Sequence, residues 1–116
     1  MMLEYFKPIE FERACPSCHI EQMDTLLLMM LDHLRELCGF PLVINSAYRT
    51  KEWDLQRGRT GEGYHTKGRA VDIACTDASR RAWIVAKAIE AGFKGIGVSS
   101  TYIHLDNRSD FKLWTY

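Results

Sequence analysis

The segment Gly63-Tyr64-His65-Thr66-Lys67-Gly68-Arg69-Ala70-Val71-Asp72-Ile73 constrains this chain more than any other, because it sets a histidine and an aspartate seven residues apart across a glycine turn. That is metal-ligand spacing. From Arg69 to Cys75 the residues alternate as in a strand, with Val71, Ile73 and Cys75 apolar on one face and Ala70, Asp72 and Ala74 on the other. Tyr102 to Asp106 repeats the arrangement, Ile103 and Leu105 facing one way and His104 and Asp106 the other. If these two strands pair, His65, Asp72 and His104 converge. Two imidazoles and one carboxylate, with a fourth position left to water, make the donor set of a catalytic rather than a structural zinc site.

His65-x-x-Gly68-x-Ala70-x-Asp72 followed by His104-x-Asp106 resembles the zinc signature of the M15 family of peptidoglycan peptidases, the D-Ala-D-Ala carboxypeptidase type. Ser46-Ala47-Tyr48-Arg49-Thr50 resembles the family's S-x-Y-R-[ST] segment. The Cys15-Pro16-Ser17-Cys18 entry, the long helix after it and the Gly97-Val98 approach to the last histidine resemble the small phage and prophage members. The likeness runs from Phe11 to Arg108, and the paired motifs are more specific than either alone. Hedgehog signalling domains carry the same zinc site, so fold and metal carry over more directly than activity.

The resemblance implies zinc held by His65, Asp72 and His104. It also implies that Arg49 faces a zinc-bound substrate oxygen or carboxylate, a task suited to a guanidinium fork. Tyr48 and Tyr64 are the further expected substrate contacts. Asp106 shares a strand face with His104 and has two open roles: general base, or a carboxylate that fixes the histidine tautomer. The chain departs from the family pattern twice. Gly63 stands where a serine usually precedes the first histidine by two residues, and Thr101 stands where many members have a glutamate three residues before the last. The base is then Asp106, or Glu62 from the glycine-rich loop.

A length of 116 residues with 47% hydrophobic content suits one domain, residues 1–116, with one core. Fifteen basic and fifteen acidic residues cancel, which leaves no electrostatic footprint for nucleic acid and no polybasic patch for an anionic membrane. The longest apolar run, Leu26 to Leu31, is far short of the roughly 18 residues of a membrane span, and no basic-then-apolar leader opens the chain. The expectation is a monomer made in the cytoplasm, which meets a cell wall if a holin releases it or a phage particle carries it. In that compartment the four cysteines are expected as thiols. Cys15-x-x-Cys18-His19 could also be half a zinc knuckle, a redox pair or a haem-attachment sequence, but a tight loop packing its thiols on the helix fits the context better. His33, inside the long helix, reads as a half-exposed structural histidine.

Met1 to Ala14 reads as an extended arm docking Tyr5, Phe6 and Phe11. Helices are expected over Glu21–Cys38, with Met23, Leu26, Leu27, Met30, Leu34 and Leu37 as the buried stripe, and over Asp77–Ala91, with Trp83, Ile84, Ala86, Ala88 and Ile89 as the apolar surface. Lys51 to Gln56 forms a helical turn carrying Trp53, and Arg57 to Gly63 a mobile loop. Strands fall at Leu42–Asn45, Ala70–Ala74, Ile96–Val98 and Tyr102–Asp106, while the tail from Asn107 wraps Phe111, Trp114 and Tyr116 over the core. The fold class is α+β: a small, mainly antiparallel sheet with helices packed on it, hedgehog/DD-peptidase-like. The expected function is zinc-dependent hydrolysis of peptidoglycan stem peptides by a D,D-carboxypeptidase or endopeptidase resembling phage endolysins. The alternative is a non-catalytic zinc-containing binding module of the same fold. A cysteine-based redox or zinc-knuckle protein ranks well behind both.

Overall fold

The computed structural model describes residues 3–13, 15 and 17–116. Met1, Met2, Ala14 and Pro16 lie outside the described residues, and so do the parts of the arm and of the cysteine entry that involve them.

The first long helix, α1, spans Thr25–Cys38, four residues shorter at its start than expected. Asp24 decides this, since its carboxylate accepts from the Leu27 N–H at 3.1 Å and caps the helix, leaving Ile20–Gln22 as a separate 3₁₀ turn. Gly39, at φ 79°, ends it. Its buried face is Leu27, Leu28, Leu31, Leu34 and Cys38, while Leu26 is exposed. A run as apolar as Leu26–Leu31 permits two registers, and the core takes the one rotated a residue onward. His33 is exposed rather than half-exposed.

The strand β1 covers Ile44–Ser46, two residues later than expected at its start. The Leu42 side chain is buried in the core outside the ladder, and the register shifts between Ile44 and Ser46. The short helix α2, Lys51–Gln56, follows under a Thr50 cap. Next come β2, Ala70–Ala74, and α3, Ala78–Ala91, whose N-cap is Asp77. The α3 helix packs on α1 through a narrower stripe than expected: Ile84 and Ala88 are buried, whereas Trp83, Ala86 and Ile89 are exposed. Trp83 lies along the surface and donates its indole N–H to the Cys38 carbonyl at 3.0 Å, satisfying an end carbonyl of α1.

Strands β3, Gly95–Val98, and β4, Tyr102–Asp106, form a hairpin. A fifth strand, β5, Lys112–Thr115, then pairs in parallel with β3. The sheet order is β1-β2-β4-β3-β5, antiparallel except for that last pair, so the architecture is α+β with a five-stranded, mostly antiparallel sheet. The tail is therefore an edge strand and not a wrap: Phe111 and Tyr116 are exposed and only Trp114 is partly covered. No helix among the described residues is long and apolar enough to cross a membrane.

The arm docks as expected but is not extended throughout: Pro8–Phe11 coils into a 3₁₀ turn, which the proline starts and the Glu10 carboxylate closes by accepting from the Lys7 N–H at 2.7 Å. Phe6 and Phe11 are buried edge to face, and the Glu4 and Tyr5 N–H groups donate to Asp32 of α1 at 3.0 Å each. The cysteine expectation is corrected. Cys15 and Cys18 form a disulfide, their Cα atoms 5.2 Å apart and within bridging reach, while Cys38 and Cys75 are free and buried. A reducing compartment disfavours disulfides in general, but this short loop holds its two cysteines close enough to bridge. His19 pairs with Glu12 at 2.9 Å and belongs to no metal-ligand cluster among the described residues.

Candidate metal centre

Register builds the site. Asp72 of β2 stands directly opposite His104 of β4, and both project to the face away from Val71, Ile73, Ile103 and Leu105, which fill the core. His65 arrives from a 3₁₀ turn, Tyr64–Lys67, closed by Gly68 at φ 69°. Only glycine fits there twice over. The conformation is left-handed, and any Cβ would run into the Gln22 and Met23 backbone, against which the turn is pinned by the Asp24 N–H donating to the Gly68 carbonyl at 2.9 Å.

The ligand atoms of His65, Asp72 and His104 all lie within 4.8 Å of one another. His65 Nε2 and His104 Nδ1 each approach Asp72 Oδ1 at 3.2 Å. The outer nitrogens settle the tautomers. His65 Nδ1 lies 2.7 Å from the Ala47 carbonyl, which can only accept, so this nitrogen carries the proton. His104 Nε2 lies 2.7 Å from the carboxylate of Asp106 and donates to it. When both imidazoles are neutral they aim lone pairs at a carboxylate oxygen, three acceptors facing one another, an arrangement that either a metal cation or an added proton relieves. Burial pushes the Asp72 carboxyl up, but the hydrogen bonds and charges of the two histidines outweigh it and hold it well below the ordinary range. For His104 burial pulls the other way, and the bonds to Asp106 and Asp72 leave it above the ordinary histidine value. The donor set fits zinc, with two nitrogens and one oxygen and an open side toward a cleft of about 320 Å³.

A family model described as Peptidase M15 matches residues 4–106, nearly the whole chain and all three ligand positions. The chain belongs to the peptidase M15 family. No curated protein matches it. Peptidases of this family are zinc-dependent, in keeping with the donor set of this M15 chain.

Of the remaining expected residues, Arg49 and Tyr64 line the cleft. Arg49 is anchored by Asp54 Oδ1 at 3.1 Å from its Nε and by the Ser46 hydroxyl at 3.4 Å from Nη1, while its backbone N–H donates to the His65 carbonyl at 3.1 Å. Tyr48 is a correction: it is half-buried against the hydrophobic core, beside the buried Ala47, and is not among the cleft residues, because the chain leaving β1 turns both side chains to the core. Glu62 is exposed and also absent from the cleft wall, as is Thr101. At Gly63 a Cβ would meet nothing within 4 Å, so this M15 chain lacks the family's usual hydroxyl although there is space for it.

Asp106 is fully buried with both oxygens occupied. Oδ1 accepts from the Arg108 backbone N–H and Nε at 3.2 and 2.8 Å, and Oδ2 accepts from Arg108 Nη2 and His104 Nε2, each at 2.7 Å. Burial raises its carboxyl, yet these bonds leave it well below the ordinary range. Strand β3 makes the room. Gly95 and Gly97 stand opposite Asp106 and His104, where a Cβ at Gly95 would collide with Asp106 and Arg108, and one at Gly97 would come within 2.5 Å of the Trp114 indole.

Sequence reasoning missed five cleft residues: Arg59, Tyr102, Arg108, Trp114 and Tyr116. Trp114 lies 5.1 Å from the His104 ring, and Tyr102 lies 5.2 Å from Tyr116. The Tyr102 hydroxyl is pushed up to about 12, first by burial and then by Tyr116 and Asp72. Tyr102 was legible in principle, being two residues before His104 and so on the same strand face.

Proposed function

We propose that this chain is a zinc peptidase that cleaves peptide bonds of peptidoglycan stem peptides, as a D,D-carboxypeptidase or an endopeptidase of the phage endolysin kind, acting as a monomer on walls reached through a holin or a phage particle. The observation that carries this reading is the inward convergence of two imidazole lone pairs on Asp72, with both outer N–H groups already spent on Ala47 and Asp106. His65 Nε2, His104 Nδ1 and Asp72 Oδ1 would hold the ion. Zinc there supplies Lewis-acid polarisation of a carbonyl and acidification of water.

The chain's own groups do the rest. Asp106 orients His104 and stays ionised beside Arg108, so it serves as the fixing carboxylate and not as the proton acceptor. Arg49, held by Asp54 and Ser46, presents its guanidinium to a developing oxyanion or a terminal carboxylate. Tyr102 keeps its proton at neutral pH and can donate a hydrogen bond to the same oxygen. Glu62 is the remaining carboxylate for proton transfer, carried over the cleft by its glycine-flanked loop when substrate binds.

The second reading, a zinc-containing binding module, is favoured by one specific observation: among the described residues Asp72 is the only carboxylate lining the cleft. Metal analysis together with a digest of purified walls, products read by mass spectrometry, separates the two. One zinc per chain with released peptide or alanine products supports the peptidase. A zinc-loaded protein that binds walls and releases nothing supports the module.

A further inference from the structure

The metal cleft continues sideways. A second cleft of about 330 Å³ shares Arg49, Arg59, Asp72 and Tyr102 with the first and adds Trp53 and Arg57 from the end of α2. The charge in this wall is one-sided. Arg49 and Arg59 approach the same buried carboxylate oxygen, Asp54 Oδ1, at 3.1 and 3.7 Å, so one anion serves two guanidiniums. Arg57 lies over the Trp53 ring at 3.3 Å and forms no ion pair among the described residues. Asp72, the remaining acid of this wall, belongs to the metal centre. A chain of zero formal net charge thus gathers three arginines at a single groove against two carboxylates, Asp54 buried beneath Arg49 and Arg59, and Asp72 turned to the candidate metal centre. Such an excess makes the groove attractive to an anion, and a guanidinium stacked on indole keeps its N–H edges free for a planar, bidentate acceptor.

We propose that Arg57 and Arg59, backed by Trp53, form a carboxylate-binding subsite beside the metal centre that selects acidic peptides over their amidated counterparts. This rests on the peptidase reading for the kind of ligand, a peptide, but the groove's charge is independent of turnover. Arg49 belongs to the reaction centre and is no part of the selection. The subsite takes a side-chain or α-carboxylate lying away from the bond to be cleaved, and the shared wall fixes its direction: from the zinc toward α2.

The test uses two synthetic stem pentapeptides identical but for one group, D-glutamate with a free α-carboxylate in one and its carboxamide in the other. Binding to the zinc-loaded full chain is followed by tryptophan fluorescence and hydrolysis by chromatography. The acidic peptide should bind about fivefold more tightly, the scale of one carboxylate engaged by exposed guanidiniums, and the advantage should shrink at about 0.5 M salt. In Arg57→Ala/Arg59→Ala the ratio should fall to about one, and in Arg57→Glu/Arg59→Glu it should invert. Both arginines are exposed, so an unchanged melting temperature is the folding control. Equal binding of the two peptides by the parent chain, or a ratio unaltered in both variants, overturns the subsite. So does inorganic phosphate that competes as well as the acidic peptide, which would mark an unselective anion patch. Discrimination in binding with neither peptide cleaved keeps the subsite and sinks the peptidase reading. Cleavage of both at equal efficiency and equal affinity does the reverse.

Discussion

Replacing Asp106 by asparagine tests the reading of the metal centre most sharply, because the aspartate is fully buried and each of its contacts is a donor pointing inward. Four N–H groups from Arg108 and His104 converge on two carboxylate oxygens. An asparagine offers one oxygen to accept and turns an NH₂ against the donors on the other side. Breaking a buried ion pair by removing one partner costs about 3 to 5 kcal/mol. Arg108 is partly exposed and can turn to water, so a figure at or just below the lower end, about 2.5 kcal/mol, is expected for the metal-free protein. For a domain of this size that is a fall of roughly 10 °C in melting temperature. The variant also loses the anion that holds the His104 tautomer, and zinc affinity should drop about 10 to 100-fold. Thermal melts by circular dichroism and zinc titration against a competing chelator read the two effects separately. Unchanged zinc affinity with hydrolysis alone abolished would refute this account and restore Asp106 as the proton acceptor.

Three further outcomes are expected. Arg49→Ala should leave one zinc bound per chain while hydrolysis falls by about 10² or more, read by metal analysis and wall digestion, whereas His104→Ala should lose the metal itself. Zinc needs neutral imidazoles, and His104 titrates above the ordinary histidine value, so affinity should weaken as pH falls and begin to do so above the pH at which a free histidine would compete; chelator titrations at several pH values check this. The Cys38 thiol is pushed up to about 11, first by burial, so alkylation at pH 8 should be slow in the folded protein and fast in denaturant, as mass spectrometry would show.

The centre was legible because it depends on short-range rules. A period of two puts Asp72 and His104 on one face whatever else the chain does, and Gly68 announces the turn that delivers His65. What depends on partners was not legible. The sequence could propose two jobs for Asp106, but it could not show Arg108, two residues along, folded back onto both of its oxygens, the contact on which the proposed fixing role rests. The register of α1 was misjudged because six apolar residues in a row satisfy more than one stripe, and the choice falls to what the sheet presents. Strand β5 was missed for a related reason. Lys112 to Thr115 has no apolar alternation, its ladder is supplied wholly by β3, and its side chains stay largely exposed.

That edge strand has a consequence for how such a cleft can change over generations. The family match ends at Asp106, the last residue of β4, while Arg108, Trp114 and Tyr116 beyond it furnish one wall of the cleft. Strand β5 is hydrogen-bonded to a single neighbour, and its outward residues carry almost none of the core. Replacement within β5 can remould the wall beside His104 without touching Arg108 or moving His65, Asp72 or His104, so the shape of the cleft can change while the candidate metal centre stays as it is.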